Sequence, residues 1–149
     1  MFLQQAKDIS SSGNVLAHEM THLVMNRFLA GRLPIWLNEG IAEYYEEFAY
    51  PAFKGIKKSR RSQFSRMKTI YRLQELFEAT AYPQDTANVL SFYKTAKYVV
   101  GWLRLDYPAD RFVPFVETVS KSGYLAAFQE HYGLNSLEDV RVSFLKFAR

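Results

Sequence analysis

The chain has 149 residues, a formal net charge of +4, 48% hydrophobic residues and no cysteine. That length holds one domain with a real core and is too short for two full ones. The lack of cysteine excludes disulfides and thiolate metal ligands, so a zinc site here must be built from histidine and carboxylate.

In chain order, residues 1–9 read as a short helix or a loose lead-in, and Ser10 to Asn14 as a turn rich in N-cap candidates. Apolar spacing predicts a helix from about Val15 to Ala30, stopped at Gly31, and a second from about Trp36 to Phe48, broken at Tyr50-Pro51. These two form the zinc-site part, about 15–48. Phe53 to Arg61 reads as a basic surface loop. The helical remainder, about 62–149, carries predicted helices at Ser62–Tyr71, Leu73–Ala79, Val89–Leu105, Arg111–Ser120, Tyr124–Tyr132 and Leu137–Phe147, with Gly123 and Gly133 as punctuation. Alternating apolar-polar runs are missing, so the expectation is a mainly α, multi-helix single domain over 1–149. No apolar run approaches the ~18 residues of a membrane span. The first residues lack the pattern of a signal peptide, so export would need a signal outside this chain, and localisation stays open.

The chemistry concentrates at His18-Glu19-Met20-Thr21-His22. Histidines four apart in a helix lie on one face, one turn apart, and both can reach one metal ion. Glu19 sits beside that ion, where a carboxylate can take a proton from a metal-activated water. A third ligand is required, and Glu39, Glu43, Glu46, Glu47 and His131 are the candidates. The segment Trp36-Leu37-Asn38-Glu39-Gly40-Ile41-Ala42 singles out Glu39, because a short turn at Gly31 to Pro34 folds its helix back against the histidines. Lys54, Lys57, Lys58, Arg60, Arg61, Arg66 and Lys68 form a basic stretch. It reads as a solvated face; no nucleic-acid-binding signature accompanies it, so nucleic acid is not the expected partner.

His-Glu-x-x-His followed by Trp-Leu-Asn-Glu-Gly-x-Ala resembles the gluzincin metallopeptidases, the superfamily of thermolysin and the zinc aminopeptidases. Within it the likeness is greatest to bacterial peptidase MA-like domains. The resemblance implies a zincin-like metallopeptidase fold, Zn2+ on His18, His22 and Glu39, Glu19 as general base, and a peptide or protein substrate. It implies a supporting carboxylate one turn after the third ligand, at Glu43, to hold the free ring N–H of a zinc histidine. Phe92-Tyr93-Lys94-Thr95-Ala96-Lys97-Tyr98 is similar to the aminopeptidase segment that carries an oxyanion-stabilising tyrosine; Tyr93 fits by pattern, with Tyr98 in reserve. The family usually places a β-sheet before the His-Glu helix, whereas 17 residues precede His18, so that sheet is expected to be reduced or absent in this chain. The alternative function is a catalytically impaired, zinc-stabilised binding or scaffold module derived from a peptidase. Cleavage preference and oligomeric state are not legible.

Overall fold

The computed structural model describes the backbone of residues 2–29, 33–49, 55 and 64–149, and the side chains of 13–29, 33–48, 55 and 64–149. Seven α-helices occur among them: α1 (Phe2–Leu29), α2 (Ile35–Tyr44), α3 (Leu73–Glu78), α4 (Thr86–Asp106), α5 (Phe112–Ser122), α6 (Tyr124–Tyr132) and α7 (Leu137–Ala148). A π-helical turn, Tyr45–Ala49, extends α2, and a 3-10 turn, Ala109–Arg111, leads into α5. The described residues contain no strand, as the lack of alternating patterns implied. None of their helices is long and apolar enough to cross a membrane.

The short helix α2 is the centre of the packing. Trp36, Leu37 and Ala42 are fully buried, and Ile41 and Tyr44 nearly so. α1 lies along one side of it and α4 along the other. Gly40 sets the second contact: a Cβ there would stand 2.7 Å from the carbonyl oxygen of Ala96, so only glycine lets α2 approach α4 this closely. Beyond α4, Trp102 packs against Phe128 of α6 and Phe144 of α7, and Phe115 of α5 against Phe128 and Tyr132. One hydrophobic cluster thus runs from Met25 to Ala148. Local signals close the elements: Asp85 accepts from the Asn88 N–H at the start of α4, Ser136 from the Asp139 N–H at the start of α7, and Gly133 ends α6 in the left-handed region at φ 69°.

The structure corrects the predicted elements in three places. The expected turn at Ser10–Asn14 is absent, and α1 runs through it; serines and one glycine in a helix interior cost at most about 1 kcal/mol each. The described part of the expected helix at Ser62–Tyr71 is irregular. Its backbone donors go elsewhere, from the Met67 N–H to the Ala148 carbonyl at 2.8 Å and from the Tyr71 N–H to Thr95 Oγ1 at 3.0 Å. Phe64 meanwhile packs on Phe48, Tyr98 and Phe147. The segment is a strap across α4 and α7, and tertiary contacts outweigh its helical spacing. Finally, the predicted second helix widens into the π-turn at Tyr45, sending Glu46 towards α1 and Glu47 towards α4. The stop at Gly31, the break at Tyr50-Pro51 and, Gly55 aside, the loop Phe53 to Arg61 lie outside the described residues. Of the basic stretch, Arg66 and Lys68 are described, and both are exposed.

Candidate metal centre

The face that α1 turns to α2 carries His18, His22 and Met25. Antiparallel packing sets His22 against the first turn of α2 and His18 against its later turns, so the ligand candidates of the two helices meet. The Nε2 atoms of His18 and His22 lie 3.0 Å apart. Glu39 Oε2 is 3.6 Å from the first and 3.5 Å from the second. Glu39 is 6% exposed, while both histidines are half-buried.

The outward-facing ring nitrogens are held as well. His22 Nδ1 is 3.1 Å from Asn38 Oδ1, and His18 Nδ1 is 3.0 Å from Glu46 Oε2. An amide oxygen and a carboxylate accept, so each Nδ1–H can donate outward, and a neutral ring held this way turns the lone pair of its Nε2 inward. Two lone pairs and a carboxylate oxygen therefore converge on one point. That is unfavourable unless a cation sits among them. Four ligands at ~2.0–2.1 Å around zinc define a tetrahedron with edges of roughly 3.3–3.4 Å, and the observed separations straddle that value. The donor set fits Zn2+ in number, type and spacing.

The motif Trp36-Leu37-Asn38-Glu39-Gly40 divides its labour residue by residue. Trp36 and Leu37 anchor the helix in the core, and Trp36 packs on Phe77 at 4.8 Å. Asn38 meets His22 Nδ1, Glu39 turns the third candidate ligand oxygen to the histidines, and Gly40 permits the approach to Ala96.

Glu43, expected to hold a histidine, lies 3.9 Å from His18 Nδ1, outside hydrogen-bond distance, and Glu46 takes that place at 3.0 Å. Burial pushes the Glu43 carboxyl above its ordinary range, opposed by Lys97. Glu47 is not brought to the histidines, and forms an ion pair with Lys97 of α4. His131 is also remote, with its Nε2 2.8 Å from Thr118 Oγ1. Tyr98 is buried and donates its hydroxyl to the Ser65 carbonyl at 3.0 Å, which removes it as the reserve tyrosine. Tyr93 stacks on Tyr82 beside Glu39, and burial first, then the charge of Glu39, raise its pKa. Glu19 is exposed on the flank of α1, one step round from the histidines.

Tyr82, in the turn before α4, is a site residue with no signal in the sequence. Its hydroxyl donates to Glu39 Oε1 at 2.6 Å, and its ring lies parallel to that of Tyr93 at 6.0 Å. Asn38 and Glu46 were equally unmarked as histidine partners. An apolar groove of about 650 Å³, lined by residues including Met20, Val24, Phe28, Ile41 and Val116, runs along the opposite flank of α1 from Glu19 and contains none of the candidate ligands.

No protein family, characterised protein or solved structure matches this chain.

Proposed function

We propose that this chain is a zinc-dependent peptidase of gluzincin type, with His18, His22 and Glu39 as the metal ligands. The observation that carries the reading is the convergence of two imidazole lone pairs and one carboxylate oxygen, with Asn38 and Glu46 fixing the tautomers. When bound, the ion supplies Lewis acidity, lowering the pKa of water and polarising the scissile carbonyl.

The chain's own residues do the rest. Glu19 accepts a proton from the attacking water as its oxygen bonds to the carbonyl carbon. It then delivers that proton to the amide nitrogen as the C–N bond breaks. The Tyr93 hydroxyl donates to the substrate oxygen as negative charge builds there.

The test is a comparison of purified wild type with Glu19→Gln. Both variants should carry about one zinc per chain by elemental analysis, because Glu19 is not among the converging ligands. Wild type should cleave casein or a mixed peptide library, and Glu19→Gln should do so at least ~100-fold more slowly. Zinc binding without any wild-type cleavage would instead leave a zinc-stabilised module. Equal cleavage by both would refute the role of Glu19.

A further inference from the structure

We propose that Tyr82 is the positioning residue for the third metal ligand, and that it makes Glu39 bind through one oxygen. The inference rests on the zinc reading above and adds to it a residue outside both zinc-site helices.

The argument begins with the two oxygens of one carboxylate. Oε1 of Glu39 accepts the Tyr82 hydroxyl at 2.6 Å, in the range of charge-assisted O–H···O bonds. Oε2 is the atom that faces the two Nε2 lone pairs. The hydrogen bond therefore sorts the oxygens, one for the protein and one for the ion. Without it, a carboxylate at this depth has an uncompensated oxygen and is free to rotate so that both oxygens face the metal. Glu39 is almost fully buried, where an oxygen without a partner is costly.

Tyr82 is itself held in place. Its ring stacks on Tyr93 with an interplanar angle of 9°, and meets Phe92 at 6.4 Å. The turn that carries it is tied to α4 by the Asp85 cap three residues on. The hydroxyl thus reaches Glu39 from a fixed support 43 positions away in the chain. Outer partners of this kind commonly alter metal affinity by ~10–100-fold.

Tyr82→Phe removes one oxygen from a half-exposed ring and keeps the stack. Co2+ is the probe, since its d–d absorption reports coordination number directly. Metal-free wild type and Tyr82→Phe should have the same circular dichroism, with a Tm a few degrees lower in the variant, because one oxygen of the buried Glu39 loses its partner. In competition with a chromophoric chelator, Tyr82→Phe should bind Co2+ at least ~10-fold more weakly. Its d–d bands should weaken and shift as Glu39 turns to offer both oxygens. Tyr124→Phe, which removes a hydroxyl bonded to Glu78 away from the centre, should match wild type in affinity and spectrum. Equal affinity and identical spectra for wild type and Tyr82→Phe overturn the inference, and so do equal losses in both tyrosine variants. A wild type that takes up no Co2+ overturns the zinc reading, and this inference with it. A wild type that binds Co2+ yet cleaves no peptide sinks the peptidase reading alone.

Discussion

Glu39 and Thr95 are the buried polar side chains among the described residues, and Glu39 is the ionisable one. Its surroundings explain how the fold tolerates it: a phenol on one oxygen, two imidazoles opposite the other, and room for a cation between them. The carboxylates further along the same helix are graded by distance. Glu46 touches the outer nitrogen of His18, and Glu43 falls short of it. The two kinds of contact should be separable by chelator competition. Glu39→Ala deletes a ligand and should weaken zinc by more than ~100-fold, whereas Glu46→Ala frees the His18 ring and should cost about 10-fold. The opposite ranking would place the third ligand two turns along α2.

At the scale of elements, the contact between α2 and α4 is the feature on which the site depends. α2 brings Asn38 and Glu39, α4 brings Tyr93, and Gly40 lets the two helices close. Two effects oppose each other in Gly40→Ala. Alanine gains about 1 kcal/mol in helix propensity. Its methyl group also meets a backbone carbonyl at 2.7 Å, which cannot rotate away as a side chain could. Overpacking of this kind costs ~1–3 kcal/mol, and the rigid neighbour places it at the upper end. The net result should be a loss of about 1–2 kcal/mol, seen in calorimetry as a Tm lower by several degrees. Weaker zinc binding should accompany it, because Glu39 is the preceding residue. A Tm equal to or above that of wild type would show that α4 yields at Ala96.

At the scale of the whole molecule, the helices are held unequally. Among the described side chains of α1, Met25 is the buried hydrophobic one, whereas Leu23 is 63% exposed and Phe28 80%. α2 and α4 are buried along much of their length. The attachment of α1 therefore leans on its two histidines as well as on apolar burial. A cation shared by His18, His22 and Glu39 would pin α1 to α2. Binding to the folded state alone raises stability by RT ln(1 + [L]/Kd), ~2.7 kcal/mol at a hundredfold excess over Kd. Removing metal with EDTA should accelerate amide hydrogen exchange in residues 13–29 well beyond any change in residues 86–106. A uniform change across both helices would show that α1 is docked independently of the metal.

The amino-acid sequence by itself determined the helical class, most helix boundaries after residue 72 and the three converging ligand candidates. The class and the boundaries follow from local signals, 3.6-residue apolar spacing with glycines at 123 and 133; His18 and His22 follow from their spacing of one turn, and Glu39 from the Trp-Leu-Asn-Glu-Gly segment and the resemblance it carries. The tertiary structure decided what local spacing cannot carry. The strap at 64–72 abandons helix because α4 and α7 satisfy its backbone donors. Glu46 displaces Glu43 at His18 because the register of two packed helices, and not the distance from Glu39 along one of them, sets which carboxylate reaches the ring. Tyr82 enters the centre from a turn 43 positions beyond Glu39. A hydrogen bond across that separation exists only once α2, α4 and the turn between α3 and α4 have packed, and no pattern along the chain encodes it.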